Sequence, residues 1–297
     1  MKSMAKEAKT NFGWKLIIRI PENVPAATFI QGHDAEPFLE EYNGRVKRDF
    51  DNAEQLRVLT YDKENQLVRG SNDFAVVLAN QMVRPQGMRT ATQADIEQVI
   101  ATEALPLYNQ YEDTGLVIRS ESGVNSYLAQ NTMMQMRKRM PEAKFPLMIP
   151  LAGLNLVQDS NSEYGLAFKL RDDAQIYEVP ILNEDGNFTA ENINSETGLP
   201  TKVGKEGTRH LYKRNDGLSR LYLDRSLSVD SVSDNLASSN DNGRVVLVRG
   251  EAANAKIFEE YSAKQNANIQ EIETRLRTNY EANQARIRQL AGELKLL

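Results

Sequence analysis

Apolar and polar positions along the chain repeat with two different periods, and the change of period divides it. Trp14, Leu16, Ile18 and Ile20 alternate with Lys15, Ile17 and Arg19, which predicts a strand ended by Pro21. Residues 33–52 mix charged and aromatic residues with weak helical spacing and predict no firm element. Leu56, Val58, Leu67 and Val68 flank the polar run Asp62-Lys63-Glu64-Asn65, the pattern of a hairpin over residues 56–69. Phe74 to Met82 reads as a short apolar helix capped by Ser71 or Asn72. Thr92-Gln93-Ala94-Asp95 has the form of a capping box and opens a helix with Ile96, Val99 and Ile100 on one face. Gly115 to Arg119 predicts a short strand, and Val124 to Met140 a third helix closed by Pro141. That helix carries Met133, Met134, Met136 and Met140, which fit core packing better than an adaptable groove.

From Phe145 the period shortens. Leu147, Ile149 and Leu151 alternate, and Tyr164–Leu170 and Ile176–Leu182 read as strands. Asp185-Gly186 is a hairpin-turn signal, and residues 186–207 read as a long loop inserted on a stable scaffold. Gly243 to Val248 is an unbroken run of the kind found in a buried, central final strand. Residues 251–297 lack proline. With a four-residue stutter between Leu276 and Tyr280, Ile269, Leu276, Ile287 and Leu294 take heptad position a, and Ile272, Asn283, Leu290 and Leu297 take d. This predicts a helix that docks on its own domain or forms an oligomerising coil over residues 254–297. Three regions follow: an N-terminal strand and accessory region (1–69), one α+β domain (70–250), and the terminal helix or coiled coil (251–297).

Composition narrows the chemistry. The chain of 297 residues carries a formal net charge of −5, and its densest basic run, Arg137-Lys138-Arg139, reads as a solvated helix end, so no nucleic-acid surface is expected. No run approaches the length of a membrane helix, no apolar stretch follows the lysines of residues 1–10, and the expectation is a cytoplasmic location or a soluble component of a particle. Cysteine is absent, which removes disulfides, thiolate metal sites and cysteine nucleophiles. The two histidines, His33 and His210, are too few for a His-rich metal site. No Gly-x-Ser-x-Gly elbow, P-loop or dinucleotide fingerprint occurs. Asp159-Ser160-Asn161-Ser162-Glu163 resembles the start of a calcium loop, but Gly165 comes one position late and the closing glutamate is missing, so a turn is expected. No metal, cofactor or catalytic residue is expected, and catalysis is the weaker hypothesis.

The informative segment is 217–248. Leu221, Leu223, Leu227 and Val229 occupy alternate positions and point to a core, with Leu236 beyond them. The other positions predict a mostly exposed, contiguous face: Arg220, Tyr222, Asp224, Arg225, Ser226, Ser228, Asp230, Val232, Ser233, Asp234, Ser238, Asn240, Asp241 and Asn242. From Arg214 to Gly250 there is no Lys, Glu, Gln, Met or Trp, although these types make up roughly a fifth of the chain. Solvated segments are normally rich in Lys and Glu. Codons ending in C or T encode none of the five, and Asn codons altered at their first two bases yield the Asn, Asp, Ser, Tyr, Arg and Val seen here.

On these residues the chain resembles the archaeal-type variable proteins of diversity-generating retroelements. The resemblance rests on Gly217-Leu218, the alternating leucines, Leu236-Ala237 and Gly243-Arg244-Val245-Val246. Tyr111-Glu112-Asp113-Thr114-Gly115-Leu116-Val117 and Asp159 to Leu166 extend it over about residues 70–250. It implies a C-type-lectin-like fold, two helices beside antiparallel strands with an irregular surface held on the sheet. It also implies binding of varied partners, a protein or cell-surface ligand, rather than catalysis. One departure is the tail of about fifty residues after Val248. Arg220, Tyr222 and Arg225 are the expected hot spots. The competing reading is a structural protein assembled through its terminal coil, with an ordinary polar loop at 217–248; a hydrolase ranks third.

Overall fold

Phe38, Tyr42 and Val46 recur every fourth residue and bury one face of the first helix, α1 (Ala35–Asp49). The structure, a computed structural model, describes residues 27–249; the strand expected at Trp14–Ile20 and the helix expected at 254–297 lie outside them. Ahead of α1 stands β1 (Thr28–Phe29), and after it the hairpin β2 (Thr60–Asp62) and β3 (Leu67–Arg69). Next come α2 (Asp73–Val83), β4 (Met88–Thr90), α3 (Gln93–Ala101), β5 (Tyr111–Ile118) and α4 (Ser126–Met136). The strands β6 (Leu147–Pro150), β7 (Leu154–Gln158), β8 (Leu166–Leu170), β9 (Tyr177–Glu178) and β10 (Gly186–Phe188) follow. The described chain ends with β11 (Arg209–Tyr212), β12 (Leu218–Leu223), β13 (Val229–Asp230), β14 (Gly243–Arg244) and β15 (Val246–Arg249).

The fold is α+β, a curled sheet with four α-helices among the described residues. The main sheet runs β10-β11-β13-β12-β5-β6-β9, and β14 also pairs with β5. Its centre is the antiparallel β5–β12 ladder, with a bulge between Leu221 and Tyr222. A smaller sheet, β1-β15-β4, joins the two ends of the described chain. Helix α2 is buried on every side except Gln81, so it is the axle of the core and not a surface helix. Asn72 caps it, accepting the Ala75 N–H at 2.8 Å, and its amide nitrogen donates to the carbonyls of Gln55 and Ala237. One side chain thus satisfies a helix start and fixes two loops. Asn72→Ala is expected to lower stability by about 2 kcal/mol in urea denaturation; a loss under about 0.5 kcal/mol would mean that water replaces all three bonds.

Several expectations need correction. Residues 27–69 are no accessory region: β1 pairs with β15, and α1 shares one core cluster with α2. Gly243–Val248 is buried as expected but is two strands. Gly243 and Arg244 run parallel to β5, and after Val245 the chain becomes the centre of the small sheet. The β11–β13 pair is parallel as well. The third helix stops at Met136, four residues before Met140; Met133 and Met136 enter the core while Met134 is exposed. Of Ile176–Leu182 only Tyr177–Glu178 is strand. Asp185-Gly186 makes no hairpin with β9; it leads into β10, which lies inside the stretch expected as loop and pairs with β11 just beyond it. Asp159 closes a local turn, accepting from the Asn161 N–H and the Tyr127 hydroxyl, and no metal-competent cluster occurs among the described residues. No helix among the described residues is long and apolar enough to cross a membrane.

Candidate functional site

The alternation in β12 sorts its side chains between two sides of the sheet. Leu221 packs with Leu211 and Val229 in one buried cluster, and Leu223 packs with Ile96, Val99 and Val246 in another. Leu236 is buried as expected. Leu227 is only half-buried, at φ +65°, a left-handed conformation that leucine rarely adopts.

Two residues expected on the face are inside. Arg220 is 7% exposed. Its Nε donates to Asp113 Oδ1 at 3.1 Å, Nη2 donates to the same oxygen, and Asp73 Oδ1 lies 3.8 Å from Nε. Ser71 Oγ donates to Asp113 Oδ2 at 2.7 Å. The N-terminal end of α2 covers this part of the sheet, so the side opposite the leucines is a second interior. Ser228 is buried because its hydroxyl accepts the His210 N–H and its own N–H goes to Asp224.

The remaining residues reach the surface. Arg225, Ser226, Val232, Ser238, Asn240 and Asp241 are exposed; Tyr222, Asp224, Asp230, Ser233, Asp234 and Asn242 are half-buried. Tyr222 links them. Its ring lies 6.2 Å from that of Tyr111, whose N–H donates to the Asn242 carbonyl, and its hydroxyl bonds Asp230. Asp230 accepts the Val232 N–H at 2.8 Å, and Arg214 holds both the Val232 carbonyl and the Asp234 carboxylate.

The loop after β12 is held from within. The Asp224 carboxylate accepts the N–H groups of Ser226 and Ser228, each at 2.8 Å. Beneath it Arg209 forms a buried two-point bridge to Glu97, at 2.5 and 2.6 Å, and donates to the Leu227 carbonyl. The loop's backbone geometry therefore rests on Asp224 within the segment and on Arg209 and Glu97 outside it.

The segment alone also misses part of the face. Tyr212 is 37% exposed and stands beside Asp230 in the β11–β13 register, and the His210 ring lies 4.2 Å from its own, tilted by 39°. Their signal was present in β11, where buried Arg209 and Leu211 alternate with them.

Burial holds the carboxyls of Asp73 and Glu112 well above the usual range; Arg220 pulls Asp73 back only in part, and Asp113 pushes Glu112 further up. The folded state therefore keeps a proton that the unfolded chain releases above its ordinary value of 3.8 for Asp73. Stability from this group is full below that pH and falls as pH rises towards the folded value. Asp73→Asn is expected to gain in thermal stability relative to the native protein between pH 4 and pH 7. A constant difference across that range would show that Asp73 is ionised in the fold.

No family model, curated protein or solved structure matches the chain.

Proposed function

We propose that this chain is a ligand-binding protein that displays a diversified surface, centred on Tyr222, on a C-type-lectin-like scaffold. Retroelement-directed mutagenesis is the proposed source of the diversity, and a protein or cell-surface molecule the proposed ligand. The observation that carries the reading is the absence of Lys, Glu, Gln, Met and Trp from Arg214 to Gly250, in a segment where Leu221, Leu223 and Leu236 are buried. A sequence can vary at a surface only where fold energy resides elsewhere, and here it resides in Leu221, Leu223 and Leu236 at roughly 1.5–3 kcal/mol each. Short Ser, Asn and Asp side chains with occasional Tyr and Arg are also the palette of antibody loops.

The scaffold supports the reading in outline: α2 and α3 stand beside a mostly antiparallel sheet, and residues 224–242, irregular apart from β13, follow its central strand β12. The diversified set loses Arg220 and Ser228, which serve the fold. The test is the gene. A neighbouring reverse transcriptase and a near-duplicate repeat differing at adenines are expected, with differences falling in the codons of the exposed residues. An isolated gene without such a repeat favours the assembly reading, in which the terminal segment oligomerises the chain.

A further inference from the structure

The sheet register places one acid between two tyrosines. Tyr212 of β11 pairs with Asp230 of β13, and Asp230 pairs with Tyr222 of β12. Cross-strand partners share a face. The alternate residues Leu211, Val229 and Leu221 are buried together on the other side, which fixes the orientation of the row. Strands lie about 4.8 Å apart, so the two tyrosines are rooted about 10 Å apart, enough for one side chain to enter between the rings. Both rings are backed: Tyr212 by the His210 ring at 4.2 Å, Tyr222 by Tyr111 and by the Arg220 guanidinium at 5.1 Å.

The acids of this row have no ion-pair partner at contact distance among the described residues, and Arg220 reaches Asp230 only at longer range. Among the described residues no Lys or Arg nitrogen lies within 4.0 Å of Asp224 or Asp230. The surrounding cations are engaged elsewhere: Arg220 with Asp113, Arg214 with Asp234, and Lys213 with the Asn183 carbonyl. His210 lies between Asn187 and Asp185. Arg225 is exposed on the intervening loop and pairs with neither acid. Asp230 keeps the Val232 N–H and the Tyr222 hydroxyl, both neutral donors. Its burial, reinforced by the charge of Asp224, pushes its carboxyl above the usual range, which an incoming cation would reverse.

We propose that this row recognises a cation, the ammonium or guanidinium of a lysine or arginine side chain on a protein partner, seated between Tyr212 and Tyr222 with its charge on Asp230. The proposal rests on the reading of this face as a ligand surface and names its chemistry. Tyrosine faces attract a cation through the ring quadrupole, and a half-buried carboxylate adds a charge-assisted hydrogen bond.

The test uses the full chain labelled with 3-fluorotyrosine, its resonances assigned by Tyr212→Phe and Tyr222→Phe. The probes are Nα-acetyl-lysine N-methylamide, the arginine equivalent, and the norleucine equivalent, which keeps lysine's four-carbon stem without its ammonium group. The two cationic probes are expected to shift the Tyr212 and Tyr222 signals saturably, and the norleucine probe to leave them in place. Asp230→Asn, which retains an acceptor for the Val232 N–H, is expected to weaken binding about tenfold, and so is a fall in pH that protonates Asp230. Should Asp230→Asn fail to fold, Tyr212→Ala, at an exposed position outside the variable segment, is expected to weaken binding by a similar factor. No saturable shift, an equal shift with norleucine, or unchanged binding in the folded variants would overturn the proposal. The gene search is independent. A retroelement beside the gene with no cation response leaves the diversified face and removes this chemistry; the converse result keeps the cation site and removes the diversification.

Discussion

Arg220→Met is expected to lower the unfolding free energy by about 3–5 kcal/mol, the cost of leaving the buried Asp113 carboxylate without its cation. Asp113 depends on this guanidinium, and Asp73, which burial keeps protonated, lies beside it. Asp113 takes two of its N–H groups, and Asp73, fully buried with no hydrogen-bond partner on either carboxylate oxygen, faces it at 3.8 Å. Methionine keeps the packing of the arginine stem as far as the position of Nε and removes the guanidinium, so the loss reports the missing charge together with the space that the head group filled. Arg48→Met, which breaks the exposed pair with Asp49, is the control and is expected to cost between 0 and about 1 kcal/mol. Urea denaturation of both variants measures the contrast, with an unchanged m-value showing that the unfolded states are alike. Replacing Asp73 by Asn and Asp113 by Leu in the Arg220→Met background is expected to recover much of the loss, because an apolar replacement of a whole buried cluster is often tolerated. A loss near that of Arg48→Met would mean that water reaches the cluster, and Arg220 would return to the list of exposed contact residues. The functional consequence is direct: sister copies of a diversified gene are expected to vary at Tyr222 and to keep Arg220.

What the sequence disclosed follows the range of each interaction. The Thr92 capping box formed as read, with Thr92 and Asp95 bonding each other's backbone, because its atoms lie within four residues. The hairpin around Asp62-Lys63-Glu64-Asn65 and the Asn72 cap were legible for the same reason. Helix α1 was not, since its four buried residues, Ala35, Phe38, Tyr42 and Val46, are spread thinly among charged ones such as Glu40, Glu41, Lys47 and Arg48. Arg220 shows the limit of alternation. A period of two assigns a side of the sheet, and only the position of α2, more than a hundred residues earlier in the chain, decides that this side is covered there. Tyr212 was missed because its place beside Asp230 comes from a parallel pairing, β11 with β13, that no local pattern announces. The run Gly243–Val248 was correctly read as buried, but its division at Val245 between two sheets depends on β4 and β5 together.

The second large effect is expected at Leu223. Replacing it by alanine should cost about 2–5 kcal/mol, the range for a fully buried leucine whose neighbours collapse only in part. The residues around it, Ile96, Val99, Leu107 and Val246, come from α3, the β5 approach and β15, so the cavity would open between elements that hold one another in place. Two residues later the expectation reverses. Arg225, Val232, Ser238 and Asp241 are exposed, and their side chains take part in no hydrogen bond or ion pair among the described residues. Changing each to another residue of the same palette (Arg225→Ser, Val232→Asn, Ser238→Tyr, Asp241→Asn) should move stability by no more than about 0.5 kcal/mol. The four changes together should cost less than Leu223→Ala alone, since sites without shared partners add nearly independently. Thermal and urea unfolding of Leu223→Ala, the four single variants and the combined variant decide the matter. A face that tolerates substitution above a core that does not is the physical requirement for diversification. If the combined variant lost as much as Leu223→Ala, residues 224–242 would be an ordinary load of the fold, and the diversified-surface reading would fail whatever the gene's neighbours were.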